Sequence, residues 1–200
     1  MRVLRAEEYR RMPWRNGGGV TAEVAIGPAG ATIEDFDWRV SMALMGVDGP
    51  FSSFPGKDRT LMVLRGNGLQ LSIAEGAPCD LTRDSTPFEF SGDVAAHAAL
   101  LCGAVTDLNV MTDRARLQHT VRRLPVAENI ELAIESPVAL LVCGDADARI
   151  GVDVGQNQRS VELAALDALL IEDAPTRLRI HGSGLALGYL IEIRERRSSH

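Results

Sequence analysis

Leu61-Met62-Val63-Leu64-Arg65-Gly66-Asn67-Gly68-Leu69-Gln70-Leu71 reads as an apolar strand, a glycine-centred turn and a second strand. The same order returns at Ala139-Leu140-Leu141-Val142-Cys143-Gly144-Asp145-Ala146-Asp147-Ala148-Arg149-Ile150, allowing one inserted residue. A polar turn region, another apolar strand pair and a glycine follow each copy. In the second half, Leu166-Asp167-Ala168-Leu169-Leu170-Ile171-Glu172-Asp173-Ala174-Pro175 leads into Thr176-Arg177-Leu178-Arg179-Ile180 and then Leu185 to Ile193. The period is too long and the copies too few for a solenoid. The repeat predicts a duplicated jelly roll, with its seam near residues 112–124 and Gly66 and Gly144 at corresponding turns.

Outside the repeat the chain keeps a period of two. Val20, Val24 and Ile26 alternate with Thr21, Glu23 and Ala25; Trp38, Val40, Met42 and Leu44 alternate with Arg39, Ser41 and Ala43. These read as half-buried strands. Gly27-Pro28, Gly49-Pro50, Pro55-Gly56, Gly66-Asn67-Gly68 and Gly182-Ser183-Gly184 mark the turns between them. With 200 residues and 46% hydrophobic content the chain can build a real core.

Charge and cysteine usage narrow the function classes. Twenty-seven acidic against 21 basic residues give a formal charge of −6, which opposes the counterion release that nucleic-acid binding needs. Cys79, Cys102 and Cys143 are isolated and read as mostly buried, reduced thiols. Charges interrupt Met1-Arg2-Val3-Leu4-Arg5-Ala6-Glu7-Glu8 where a secretory signal needs an apolar stretch, and no later run approaches a membrane span. The expectation is a cytoplasmic protein with no nucleic-acid or membrane partner. Arg114, Arg116, Arg122 and Arg123 alternate with apolar residues near the seam and read as the wet face of a strand.

Strand, glycine turn, strand and a proline-containing turn form the pattern of cupin barrels. Metal-bearing cupins carry His-x-His and a following Glu before the first such strand, with another His after the later proline. Here Phe51 to Thr60 holds no histidine, and Thr176-Arg177 follow Pro175. His97, His119, His181 and His200 share no ligand spacing, so no metal and no other cofactor is expected. Gly17-Gly18-Gly19 precedes an alternating strand and lacks the Gly-Lys-Ser/Thr of a phosphate loop.

Polar and aromatic segments in the first half describe a pocket better than a core. Trp14 supplies an aromatic wall beside the Asn16 amide. Arg39 lies opposite Trp38 and Val40, so it points to solvent or into a polar cavity. Arg59 enters an apolar strand next to Asp58 and near Phe51 and Phe54. Each arginine is either a rim ion pair or a guanidinium fork for a carboxylate. In the fork reading, Arg59→Ala weakens binding far more than folding. Asp107 and Asn109 alternate with Leu108 and Val110, placing both polar side chains on one strand face; they either bind a nitrogenous ligand or are satisfied by backbone.

Together these segments resemble the HutD/Ves family of metal-free bicupins. The resemblance rests on Pro13-Trp14-Arg15-Asn16-Gly17-Gly18-Gly19 with Thr21 and Glu23, with Arg15 where lysine is common. It continues through Phe36-Asp37-Trp38-Arg39-Val40-Ser41, Asp48-Gly49-Pro50-Phe51-Ser52, Phe54-Pro55-Gly56, Asp58-Arg59-Thr60 and Asp107-Leu108-Asn109-Val110-Met111. It is specific through residue 112, while the second half shares only the barrel pattern.

The implied fold is all-β: a double-stranded β-helix (jelly-roll) bicupin of two stacked β-barrels. Residues 1–112 are expected to form the ligand-carrying barrel and residues 113–200 a scaffold or homodimer surface, with the termini free to exchange strands. The implied role is a ligand-binding regulator of histidine utilisation that takes a small carboxylate, N-formimino-L-glutamate or urocanate being candidates. The expected ligand-binding residues are Trp14, Asn16, Thr21, Arg39, Ser41, Phe51, Phe54, Arg59, Asp107 and Asn109. The rival is a metal-independent hydrolase or isomerase of a histidine-pathway intermediate, for which Glu23 and Asp107 are the obvious bases.

Overall fold

The structure is a computed structural model and describes residues 1–126, 129–144, 149–154, 159–172, 174–182 and 186–196. Its strands fall into two compact units, one of residues 10–118 with 195–196 and one of residues 1–9 with 119–194. In chain order the strands are β1 (Arg2–Leu4), β2 (Arg10–Pro13), β3 (Gly19–Gly27), β4 (Trp38–Met45), β5 (Gly49–Pro50) and β6 (Lys57–Arg65). They continue as β7 (Leu69–Ile73), β8 (Cys79–Leu81), β9 (Phe88–Ser91), β10 (Ala96–Leu100), β11 (Val105–Asp113) and β12 (Leu117–Val126). The last are β13 (Ile130–Ile134), β14 (Val138–Cys143), β15 (Ile150–Val154), β16 (Arg159–Leu163), β17 (Ala168–Ile171), β18 (Thr176–Gly182) and β19 (Ala186–Glu195).

The duplication is visible in the strand orders. The first unit pairs β2-β3-β4-β11-β6-β9 in one sheet and β5-β10-β7-β8 in the other. The second pairs β1-β17-β14-β19-β12 and β13-β18-β15-β16. Strand by strand, β4 to β11 correspond to β12 to β19, the eight strands of a jelly roll. Additions distinguish them: the β2-β3 hairpin extends the first unit beyond β4, and β1 extends the second beyond β17.

Gly66 and Gly144 occupy equivalent places, each ending the strand from which the chain leaves the larger sheet for the smaller. Their reasons for being glycine differ. Gly66 has φ +92°, a left-handed backbone that costs other residues energy. A Cβ on Gly144 would lie 2.6 Å from Cε2 of Tyr189. The turn beyond Gly144, most of the Gly182-Ser183-Gly184 turn, Asp173, Leu185 and His200 lie outside the described residues.

The units divide at residue 118, past the expected bound of 112 but inside the expected seam of residues 112–124, and Met1–Tyr9 falls in the second unit, where β1 pairs antiparallel with β17, Val3 opposite Leu169. Two expectations need correction. Strand β4 is not half-buried: Val40 and Met42 on one face and Arg39 and Ser41 on the other are all inaccessible, because the polar face lines a cavity instead of meeting solvent. Arg114 and Arg116 are not a wet strand face but occupy the turn between β11 and β12. Arg114 donates to Asp58 (2.5 Å), Asp93 (2.8 Å), Ser91 (2.7 Å) and the Lys57 carbonyl (2.9 Å), and Arg116 pairs with Asp37. Among the cysteines only Cys143 is fully buried; Cys102 is exposed.

The amino-terminal segment is held by Asp167, which is 4% exposed. Its carboxylate accepts from Arg5 Nη1 (2.7 Å), the Ala6 amide (2.9 Å) and the Ala164 amide (3.0 Å), while the Tyr9 hydroxyl donates to the Leu166 carbonyl (2.8 Å). Burial, together with the Asp167 charge, raises the Tyr9 pKa and keeps the phenol a donor. Asp167→Ala leaves two amides without their acceptor, at a cost of about 2–4 kcal/mol. The expected outcome is a lower melting temperature together with fast amide exchange through β1. Unchanged protection of β1 would show that the sheet pairing alone holds it.

No helix in the described residues is long and apolar enough to cross a membrane.

Candidate functional site

The inner face of the first unit's six-stranded sheet changes character along its length. At one end Met45, Leu61, Val63 and Val105 join Leu69, Leu71, Leu81, Ala96 and Ala98 in an apolar core. At the other end Arg39, Ser41, Arg59 and Asn109 are buried yet polar. Strand pairing explains the cluster. Met111 on β11 lies opposite Arg39 of β4 on one side and Arg59 of β6 on the other, and Asn109 lies opposite Ser41. Two strands apart in a sheet is about 10 Å, so the arginines flank one strand and their side chains converge over it.

The two guanidinium groups are held differently. Arg39 Nε donates to Glu23 Oε2 at 2.9 Å, and its Nη2 is buried without a partner. Arg59, 2% exposed, donates from Nη1 to the Ser52 carbonyl at 2.9 Å, and its Nε is buried without a partner. Three rings surround it, with centroids at 5.4 Å (Phe51), 5.6 Å (Phe54) and 4.8 Å (Phe90). Stacking of this kind suits a planar guanidinium. Burial lowers the Arg59 pKa to about 10; Asp107 opposes that shift and Arg39 adds to it. Arg59 therefore stays cationic at neutral pH.

A loop and a hydrogen-bonded tryptophan form the opposite wall. The Trp14 amide donates to the Gly19 carbonyl (2.9 Å) and Gly17 N–H to the Trp14 carbonyl (3.0 Å), while Asn16 Oδ1 accepts from the Gly18 amide (3.0 Å). This tight turn joins β2 to β3. Trp14 Nε1 donates to Thr21 Oγ1 at 2.8 Å, which fixes the indole plane and leaves the Thr21 hydroxyl proton available. Asn16 thus serves the turn first, and only its amide nitrogen remains for a ligand.

These groups enclose a cavity of about 500 Å³. Trp14, Asn16, Thr21, Arg39, Ser41, Phe51, Phe54, Arg59 and Asn109 all line it. Asp107 does not. It is 0% exposed and sits deeper on the same face of β11, opposite Ala43 and Val63. Burial pushes its pKa up to about 7, offset only in part by the Arg59 charge and the Ala43 amide, and neither carboxylate oxygen accepts a hydrogen bond of good geometry. Asn109 Oδ1 is likewise buried without a donor.

Sequence reasoning missed Phe90, which meets Arg59 only because β9 pairs with β6 in that register. It also missed Ile33 and Met12, apolar lining residues with no motif to announce them, and passed over Met111 within the Asp107–Met111 segment. Glu23 was read as part of the opening motif and as a candidate base, not as a partner of Arg39; its place two residues from Thr21 on β3 is the signal that puts it beside Arg39.

A larger hollow of about 980 Å³ lies over β13, β15 and β18 of the second unit. Its Glu131, Arg177 and Arg179 are exposed, and Arg179 is already paired with Glu131 at 3.0 Å. It therefore offers ordinary surface charges where the first cavity offers buried ones. His97 and His181 are exposed, and among the described residues no three His, Cys, Asp or Glu side chains form a metal-ligating group.

The fold and cavity define a class: a jelly-roll cupin with arginines and aromatic rings inside one barrel. A cupin barrel protein from Leptotrichia buccalis shares the fold, with a TM-score of 0.58 at 10% identity over 88% of this chain and 89% of that one. The chain belongs to the HutD family, whose sequence pattern matches residues 6–187. It is 36% identical over 160 residues to an uncharacterised protein of the hutC 3′ region of Pseudomonas putida, covering 76% of this chain and 83% of that protein. Among solved structures, a conserved protein of unknown function from Pseudomonas aeruginosa PAO1 aligns with a TM-score of 0.86 and 33% identity, covering 96% and 98% of the two chains. HutD from Pseudomonas fluorescens SBW25 aligns with a TM-score of 0.81 and 28% identity, covering 98% and 99%.

Proposed function

We propose that this chain is a ligand-binding regulator of histidine utilisation that takes a small carboxylate bearing an N–H group into the Arg39–Arg59 cavity, N-formimino-L-glutamate being the compound that best fits. The carrying observation is that three buried polar atoms on residues lining the cavity lack partners: Arg39 Nη2, Arg59 Nε and Asn109 Oδ1. Buried groups of this kind cost free energy unless something satisfies them. Two N–H donors on cations ask for carboxylate oxygens, and the amide oxygen asks for an N–H donor. Formiminoglutamate carries both. Guanidinium groups also repel a bare metal ion, so the ligand would bind directly to the protein.

The pathway assignment draws on family membership and on the hut-region relative of Pseudomonas putida. Binding is favoured over catalysis because the two obvious bases are committed elsewhere: Glu23 is tied to Arg39, and Asp107 does not line the cavity. A base must reach the proton it abstracts. Incubation with formiminoglutamate, urocanate and histidine, followed by mass spectrometry, is expected to return every compound unchanged at stoichiometric protein. Time-dependent consumption of one of them would instead make the chain an enzyme of that step.

A further inference from the structure

Asp107 belongs to no hydrogen-bonded network that explains it. It lies on the inner face of β11 two residues from Asn109, fully inaccessible, with both oxygens short of a well-formed hydrogen bond. The charged groups on the surrounding strands are few. Arg59 projects from β6 within coulombic reach, Arg39 from β4 and Glu23 from β3, with Arg15 exposed at the cavity mouth. The inner face of the other sheet contributes Leu69, Leu71, Leu81, Ala96 and Ala98 to the core, and β9 contributes Phe88 and Phe90. Arg39 and Glu23 cancel each other at 2.9 Å. Arg59 and Asp107 remain as the pair whose balance can change.

Resting on the cavity being a carboxylate site, we infer that anion binding beside Arg59 is coupled to protonation of Asp107, the buried and unpaired carboxylate two residues from Asn109 on the same face of β11. With Asp107 ionised, Arg39, Arg59, Glu23 and Asp107 sum to zero; with Asp107 neutral, the cavity carries one positive charge for the ligand. A proton passes from solvent to a carboxylate oxygen as the anion enters, and returns when it leaves. Asp107 thereby determines the ligand charge that the cavity accepts at a given pH.

The sign follows from the two states. In the empty cavity burial holds the Asp107 pKa at about 7. A bound anion adds a like charge and engages Arg59, which raises it further. Binding therefore takes up protons near and above neutrality, and affinity falls as pH rises. If the bound-state value lies well above 8, the dissociation constant is about tenfold larger at pH 8 than at pH 6.

Titration calorimetry of the full chain with formiminoglutamate and with glutarate, at pH 6 and pH 8, in two buffers of different ionisation enthalpy, tests this. Glutarate is chosen because both of its carboxylates are largely ionised across that range. The wild type is expected to take up a fraction of a proton per site and to bind about tenfold more weakly at pH 8. Asp107→Asn, a near-isostere of the neutral acid, is expected to keep one affinity across both pH values with no proton uptake. Binding without proton uptake and with equal affinity at both pH values overturns the inference alone. Uptake that persists in Asp107→Asn assigns the proton to another group and overturns it too. No binding of either compound contradicts the functional reading itself and removes this inference with it.

Discussion

Arg59→Lys is expected to weaken carboxylate binding about ten- to hundredfold while the chain still folds. A charge-assisted hydrogen bond contributes about 1.5–3 kcal/mol, and that range spans those factors. Lysine keeps the charge that offsets Asp107, but it has no planar fork to lie among Phe51, Phe54 and Phe90 and no Nε–H to direct inward. Arg59→Ala is expected to cost folding as well as binding. Its side chain is buried, so truncation empties the space between three rings and removes the positive charge that acts on Asp107. That loss costs folding about 3–5 kcal/mol in addition to binding. Calorimetric titration together with a denaturant melt separates the two variants. Wild-type affinity in Arg59→Lys would remove Arg59 from the site.

Formiminoglutamate at a hundred times its dissociation constant is expected to raise the melting temperature by roughly 5–10 °C. Preferential binding to the folded state at that excess stabilises by about 2.7 kcal/mol. A chain of this length gains about 2–4 °C per kcal/mol. Succinate and histidine serve as controls. Succinate has two carboxylates but no nitrogen for Asn109; histidine has nitrogens but a single carboxylate for Arg39 and Arg59. Both are expected to shift the melt less. If histidine-pathway compounds at millimolar concentration leave the melt unmoved while a sugar or nucleotide raises it, the histidine-utilisation assignment fails even though the fold stands.

Much of the cavity was legible in the sequence because a strand has a period of two. Trp38 and Val40 against Arg39 and Ser41, and Leu108 and Val110 against Asp107 and Asn109, assign each residue to a face without any tertiary knowledge. The period gives no depth along the strand. Asp107 and Asn109 share a face, yet only Asn109 reaches the cavity, because Asp107 pairs with Ala43 and Val63 toward the apolar end. Alternation also marks which face is polar without saying whether water or a cavity lies there, and so the sequence leaves the Arg39 face of β4 open between solvent and a polar pocket.

Features that depend on distant pairing stayed hidden. Phe90 meets Arg59 through the β6–β9 register, and β1 finds β17 across most of the chain's length. Neither pairing leaves a local signature. The Arg114 cluster shows the same limit: its spacing resembles a solvated strand, whereas its partners Asp58, Asp93 and Ser91 come from two other parts of the chain. The repeat was legible at Gly66 and Gly144 because a strand that switches sheets needs a glycine for one local reason or another, positive φ at the first and close approach of Tyr189 at the second.

We propose that Arg39 and Arg59 hold a small carboxylate in the first barrel. A crystal structure of the chain grown with formiminoglutamate tests it most directly. The expected result is density in the cavity with carboxylate oxygens within hydrogen-bonding distance of the Arg39 and Arg59 guanidinium groups and a ligand nitrogen donating to Asn109 Oδ1. Formiminoglutamate bound elsewhere on the chain, with this cavity empty, would contradict it.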